Sequence, residues 1–188
     1  MKKIVLGLLM LVSFYSNAQP TEFKFTKEGF TDYVVGVVEG KTAQELYKKT
    51  LDWISVTYKN PKEVIKAQIE NDYIRLEGVK SSMLCTKSLG LMNCSDGRYL
   101  IEISFKDGKY KFDLTKLEQY IPPSQYTVTS GWSEVGLANT SGYYKDNGDL
   151  RSVFKLYPTA IETEFNSLNM SLIDFLKSDT IPSKKSDW

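Results

Sequence analysis

The sequence predicts an α+β fold, in which an antiparallel β-sheet is covered on one face by two helices. Two strand pairs with alternating apolar and polar side chains fill much of residues 65–114. One amphipathic helix is predicted before these strands and another after them. A sheet with one apolar face must bury that face against a second layer, and two helices on the same face are the simplest way to do so.

The first predicted elements are a strand and a capped helix. Residues 33–38 (YVVGVV) are rich in β-branched side chains and indicate a strand. Thr42 and Glu45 have the spacing of a capping box, in which each side chain bonds the other residue's backbone N–H. Apolar and aromatic residues then recur at helical spacing until Asn60 and Pro61 end the helix. These residues are Ala43, Leu46, Tyr47, Thr50, Trp53, Ile54 and Tyr58.

The strand pairs are predicted from turn residues and from register. Asn71-Asp72 is a plausible two-residue loop, and Asp107-Gly108 favours a type I′ turn. A one-residue slip would move apolar side chains to the polar face, so the register should be strongly specified. The first hairpin is expected to pair Ile69 with Ile74, Ala67 with Leu76 and Ile65 with Gly78. The second hairpin is expected to pair Phe105 with Tyr110, Ile103 with Phe112 and Ile101 with Leu114.

The C-terminal third predicts loops, a strand and the second helix. Asn147-Gly148 indicates a third hairpin, followed by a strand over residues 150–157. Pro158 suits the first turn of a helix, whose apolar face continues to about Lys177. We expect one α+β domain over residues 19–177 and a flexible tail over residues 178–188.

The N-terminus has the pattern of a secretory signal peptide. Lys2 and Lys3 precede an apolar run that ends at Phe14, and small residues surround a cleavage site after Ala18. The alternative is a membrane anchor, but the run is shorter than the roughly 20 residues that a spanning helix needs. Residues 1–18 are therefore predicted to direct export to the periplasm or the medium, with no stable membrane anchor after cleavage.

The two cysteines, Cys85 and Cys94, form an even pair in an exported chain and are predicted to form a disulfide. This bond is expected to clip the connection between the two hairpins. The alternative, a redox-active pair, is less favoured because the spacing is not that of a C-x-x-C motif.

Composition excludes several function classes. The chain of 188 residues has no histidine, which removes histidine triads, histidine dyads and imidazole metal ligands. Its net charge of +1 becomes −1 once residues 1–18 are removed, which argues against nucleic acid as a partner. We predict no catalytic residues, no cofactor and no metal. Glu102 and Asp113 should face each other on the solvent side, and we interpret them as a solvated pair softened by Lys111 and Arg98.

The segment 124–149 carries aromatic residues that no periodic pattern buries. Trp132, Tyr143 and Tyr144 lie there among Gly, Ser and Asn. This composition is typical of adaptable recognition loops. These three residues are the predicted partner or ligand surface, and the alternative is that they simply cover the sheet.

A stretch of the chain resembles a known family. The residues Gly40-Lys41-Thr42-Ala43-Gln44-Glu45-Leu46-Tyr47, then Trp53-Ile54, then the hairpins to Tyr120, are similar to a family of secreted bacterial domains of unknown function. The resemblance covers about residues 33–120. It implies a fold like that of the TATA-box-binding protein (TBP-like), with helices gripping a curved antiparallel sheet. It carries over no catalytic motif and says nothing about DNA, since fold does not imply function.

Two hypotheses of function follow. The first is a non-enzymatic binding module for an envelope or extracellular protein, peptide or glycan. The second is a carrier that holds an apolar small molecule between the sheet and the C-terminal helix. An enzyme using carboxylate, Ser/Lys or Tyr chemistry stays open, although no motif in the chain favours it.

Overall fold

The computed structural model describes residues 19–125 and 129–178 and contains a curved six-stranded antiparallel sheet. The elements are β1 (Tyr33–Val37), α1 (Ala43–Thr57), a one-turn helix α2 (Pro61–Val64), β2 (Ile65–Ile69), β3 (Tyr73–Ser88), β4 (Leu91–Lys106), β5 (Lys109–Ile121), β6 (Gly131–Glu134) and α3 (Tyr157–Lys177). The sheet order is β1-β5-β4-β3-β2, with β6 paired to the far end of β5. The helices α1 and α3 pack on the same face of the sheet, so the predicted α+β fold class is confirmed. The predicted signal peptide, residues 1–18, and nearly all of the predicted tail lie outside the described residues.

The start of α1 is held by its own capping box and by the sheet. Thr42 Oγ1 accepts a hydrogen bond from Glu45 N at 3.2 Å, and Thr42 N donates to Glu45 Oε2 at 2.7 Å. Asp107, in the β4–β5 turn, adds a bond by accepting from Ala43 N at 2.8 Å. The turn residue that reverses the chain therefore also caps the helix. The buried side of α1 is the predicted one and contains Leu46, Tyr47, Thr50, Trp53 and Ile54.

The second hairpin has the predicted register. Phe105 pairs with Tyr110, Ile103 with Phe112 and Ile101 with Leu114. All six side chains are buried under the helices. Beyond Ile101 a β-bulge shifts the pairing, so that Leu100 lies opposite Lys116.

The predicted register of the first hairpin is wrong. Its loop has three residues, 70–72, rather than two, and Asn71 takes a left-handed conformation (φ 65°) at its centre. Ile69 consequently pairs with Tyr73 instead of Ile74, and a bulge between Ile65 and Ala67 shifts the pairing again. Because β2 is an edge strand with little covering it, its apolar side chains do not enforce one register.

The segment before β1, residues 19–32, which we call the lead-in, completes the core together with α3. Phe165 of α3 is fully buried and packs against the rings of Phe23, Phe30 and Tyr99. The amide of Asn166 holds the lead-in by accepting from Phe23 N at 2.8 Å and donating to Phe23 O at 3.0 Å. Burying two phenylalanines of this lead-in stabilises the fold by roughly 2–3 kcal/mol each. The lead-in is thus part of the core, and Phe25 and Phe30 form an isolated antiparallel bridge within it.

The predicted strand over residues 150–157 is wrong. The turn at Asn147-Gly148 does form, but strand pairing stops at one bridge between Tyr144 and Leu150. A 3₁₀ turn follows at Ser152–Phe154, and α3 begins at Tyr157. The rings of Phe154 and Tyr157 pack together at 5.4 Å, since a three-residue separation brings them to one side of a helical turn.

The hairpin of β3 and β4 extends as a long arm that carries the disulfide. Cys85 and Cys94 lie directly opposite each other in the ladder and are bonded through sulfur. The expectation of a clipped loop between two hairpins is wrong, because residues 80–97 continue the same two strands to a turn at Leu89-Gly90. No helix in the described ranges is long and apolar enough to cross a membrane.

We predict that Gly36→Ala destabilises the fold by about 1–3 kcal/mol through overpacking. A Cβ at Gly36 would lie 2.2 Å from the ring of Tyr110. That ring cannot move aside freely, because its hydroxyl donates to Asn169 Oδ1 at 2.7 Å. Urea unfolding measures the change. Gly142→Ala is the control, since its Cβ would meet open space, and it should stay within about 0.5 kcal/mol of wild type. Equal effects of the two substitutions would contradict the predicted contact.

We also predict that Cys85→Ser/Cys94→Ser lowers the free energy of unfolding by about 2–3 kcal/mol, because the bond closes a loop of about ten residues in the unfolded chain. Reductant should lower the free energy of unfolding of wild type by the same amount and leave that of the double variant unchanged. A wild-type unfolding midpoint that does not change when reductant is added would show that the bond adds no stability.

Candidate functional site

The predicted surface of Trp132, Tyr143 and Tyr144 does not form one site. Trp132 lies on β6, where it stands directly opposite Tyr120 of β5 on the face of the sheet that the helices leave open. Tyr143 and Tyr144 lie on the helix side, next to the lead-in and the start of α3. The structure therefore separates the three residues between two faces.

Tyr143 and Tyr144 are used inside the fold. The ring of Tyr143 packs against Phe154, Phe25 and Tyr157 with centroid distances of 5.0, 5.3 and 5.8 Å. Tyr144 donates its hydroxyl to Phe25 O at 3.2 Å. Burial raises the pKa of Tyr143, and it raises the pKa of Tyr157 to about 12, so both phenols are neutral at physiological pH. These contacts tie the lead-in to α3.

The open face of the sheet is a network of ion pairs between neighbouring strands. Glu102 and Asp113 do lie directly opposite each other, as predicted, and each has its own cation. Lys111 pairs with Asp113 at 2.9 Å, as expected, but the partner of Glu102 is Arg75 rather than Arg98. The remaining pairs of this face are Lys66–Glu77, Arg98–Glu118 and Lys116–Glu118.

Three aromatic rings on this face each lie under one of these cations. The guanidinium carbon of Arg98 is 4.5 Å from the centre of a ring of Trp132. Lys111 lies 5.4 Å from the ring of Tyr33, and Arg75 lies 5.9 Å from that of Tyr73. Cation–π contacts of this kind add to the ion pairs in fixing the positions of these half-buried side chains.

The tightest group on the open face consists of Arg98, Glu118, Tyr120 and Trp132, which we call the Trp132 cluster. Arg98 places Nε and Nη2 each 2.7 Å from Glu118 Oε2. Tyr120 meets Trp132 edge-on, with 5.4 Å between the ring centres and 64° between the planes. Glu118 is only 8% exposed. The Arg98 guanidinium, with Lys116 beside it, holds the pKa of the Glu118 carboxyl below its usual range, so this ion pair persists at neutral pH.

The sequence interpretation missed Arg98, Glu118 and Tyr120 as site residues. The signal lies in β5, where buried apolar residues change from even to odd numbers between Leu114 and Leu117. That change of parity indicates the β-bulge, and the bulge places Arg98 directly opposite Glu118.

The space between the sheet and α3, where the carrier hypothesis places an apolar ligand, is occupied by core side chains. Phe165 and Leu172, beneath which the carrier hypothesis places its cavity, are fully buried. A groove of about 560 Å³ lies instead at the sheet edge between β1 and α3, lined in part by Val37, Met170 and Ile173. Val37 and Met170 are 53% and 62% exposed.

Comparison with known proteins confirms the family resemblance over the predicted range. Residues 34–120 match a family described as a domain of unknown function (DUF4468) with a TBP-like fold. The chain is similar in structure to a DUF4468 family protein from Bacteroides ovatus, with 13% identity and a TM-score of 0.55 over 87% of this chain and 92% of that one. It is also similar to a TBP-like protein from Parabacteroides distasonis, with 13% identity and a TM-score of 0.54 over 78% of this chain and 91% of that one. At this identity the likeness shows the fold alone. No curated protein matches the chain significantly.

We predict that Glu118→Gln lowers the free energy of unfolding by about 1–3 kcal/mol at pH 7, because a nearly buried charge-assisted pair is lost. A carboxyl whose folded pKa is depressed contributes stability above its unfolded pKa and loses it as the pH falls through the folded value. The difference between wild type and variant should therefore shrink below about pH 4. Urea unfolding from pH 7 to pH 3 measures it, with the exposed Glu39→Gln as control. A difference that is the same at every pH would mean that shape rather than charge stabilises this position.

Proposed function

We propose that the chain is an exported, non-enzymatic binding module that recognises a protein or peptide through the Trp132 cluster. The observation that carries the proposal is the placing of a tryptophan, a tyrosine and an arginine together on the open face of the sheet. These three residue types are the ones most enriched among the few residues that dominate binding energy at protein interfaces.

The cluster is held in place before any partner arrives. Arg98 is fixed by two bonds to Glu118 and by the ring of Trp132, and β5–β6 pairing places Tyr120 beside that ring. Side chains that are already ordered lose less conformational entropy on binding, which raises affinity. Binding of a partner to this cluster would therefore require little further ordering of the module's own side chains.

The geometry favours a protein or peptide over a glycan. Arg98 covers one face of the Trp132 ring, and Tyr120 meets that ring at 64° rather than lying beside it in one plane. A broad flat aromatic platform for sugar rings is therefore not present at the cluster. A surface of mixed aromatic and charged groups suits contact with a side chain or backbone segment of a protein.

Binding is better supported than catalysis. The chain has no histidine, and Glu118, the most buried carboxylate of the open face, has a lowered pKa instead of the raised one that a general acid at neutral pH needs. Export is supported by the signal sequence pattern and by the disulfide, which is typical of oxidising compartments.

A carrier of an apolar small molecule is the second candidate. It is favoured by the groove between β1 and α3, where Val37 and Met170 expose apolar surface. This function would leave the Trp132 cluster unused, so the experiment below separates the two candidates.

We predict that Tyr120→Ala/Trp132→Ala weakens partner binding at least tenfold. The immobilised wild-type chain should retain a protein from an envelope extract with a Kd in the micromolar range or tighter, and the double variant should bind the purified protein at least tenfold more weakly. Leu89→Ala/Leu91→Ala is the matched control, since it removes two exposed apolar side chains from the tip of the arm. It should bind as wild type does. Retention of no protein at micromolar concentration, or equal retention by the Tyr120→Ala/Trp132→Ala variant, would contradict the proposal.

A further inference from the structure

A second feature of the open face is a cavity at the end far from Trp132. It has a volume of about 240 Å³ and lies beside the Asp107-Gly108 turn. Its lining includes three lysines and three residues with hydroxyl groups, of which Tyr110 bonds Asn169 of α3, but no carboxylate. The residues that matter here are Tyr33, Ser104, Lys106, Lys109 and Lys111.

The positive charge of this cavity is not neutralised by the protein. Lys106 and Lys109 lie directly opposite each other in the β4–β5 ladder, where like charges are destabilising. Neither lysine has a carboxylate within ion-pair distance anywhere in residues 19–125 and 129–178, whereas the other basic side chains described above on this face all have one. Lys111 alone among the three lysines is paired, with Asp113.

The carboxylates near the cavity bind other groups of the protein. Glu102 bonds Arg75, and Asp107 accepts from the backbone of α1 at Ala43 N. About two positive charges therefore face the cavity without compensation. Tyr33 and Ser104 also line it, and their hydroxyls have no hydrogen-bond partner within the part of the chain that the structure describes, so both can donate to a ligand.

From this arrangement we infer that the cavity binds the phosphate monoester group of a small molecule. Such a group carries about −1.5 to −2 charges at neutral pH and three acceptor oxygens, which matches two unpaired ammonium groups and two free hydroxyl donors. Lysine binds phosphate as a compact point charge, so the cavity does not need an arginine fork to hold this group. Val35 adds an apolar wall for the rest of the molecule.

This site is separate from the one under the proposed function. The residues of β5 that line it are Lys109 and Lys111, whereas the Trp132 cluster uses Glu118 and Tyr120 of the same strand. The nearest of these residues, Lys111 and Glu118, are seven positions apart along the strand, which is about 23 Å of extended chain. Loss of one activity should therefore leave the other unchanged.

The test is titration calorimetry of the full chain with inorganic phosphate and glucose 6-phosphate, with glucose as the uncharged comparison. We expect glucose 6-phosphate to bind with a Kd of about 1 mM or tighter and glucose not to bind. Lys106→Gln/Lys109→Gln should weaken binding at least tenfold. Lys48→Gln/Lys59→Gln makes the same change of net charge on exposed residues of α1 and just beyond it, and should bind within about twofold of wild type.

A charge reversal guards against a simple folding defect. Lys106→Glu creates an opposite-charge pair with Lys109, so thermal stability should be unchanged or higher while phosphate binding is lost. Vesicles with phosphatidic acid distinguish a lipid source from a soluble one, and binding to them that the Lys106→Gln/Lys109→Gln variant loses would support the same phosphate chemistry. No heat with either phosphate compound or these vesicles, equal loss in the Lys48→Gln/Lys59→Gln control, or equal binding to vesicles of phosphatidylglycerol would overturn the inference.

Discussion

The structure depends on the burial of one face of the sheet beneath α1 and α3. Along β3, β4 and β5 every second side chain enters this interface, including the fully buried Ile74, Ile101, Ile103 and Phe112. Moving any of these strands by one residue would bring charged groups such as Glu102 and Asp113 into the core. The apolar face therefore determines the register, and the register determines which side chains meet on the open face.

Hydrogen bonds between the sheet and the helices tie the two layers together at points that apolar packing alone would leave loose. Tyr110 of β5 bonds Asn169 of α3, and Tyr157 of α3 donates to Gln119 of β5 at 2.5 Å. Asp107 connects the β4–β5 turn to the start of α1. Because these bonds hold both ends of β5, the strand presents its outward residues at fixed positions. The cavity beside Lys109 and the Trp132 cluster lie at its two ends.

Elements that are specified by a local signal with one possible geometry could be predicted from the sequence. The capping box at Thr42, the Asp107-Gly108 turn and the amphipathic pattern of α3 each require one backbone conformation or one buried face, and each is present. Signals that depend on distant partners failed. Asn71-Asp72 is compatible with loops of two or three residues. Because β2 is an exposed edge strand, its side chains do not enforce the two-residue loop, and the three-residue loop forms. The strand predicted after Gly148 yields to a helical turn because Phe154 and Tyr157 gain contact with Tyr143, a residue in another segment.

Only part of the candidate site could be predicted, because its remaining residues meet through contacts between distant strands. Trp132 stands out by composition, but its neighbours Arg98 and Tyr120 come from strands whose alignment depends on the bulge in β5. The most direct test of the open face as the binding surface is photo-crosslinking in the envelope fraction, with a benzophenone amino acid in place of Tyr120 or, on the exposed side of α1, of Lys48. A crosslinked protein adduct from position 120 and none from position 48 is the result expected. An adduct from position 48 alone would place the partner on the helical side and contradict the account.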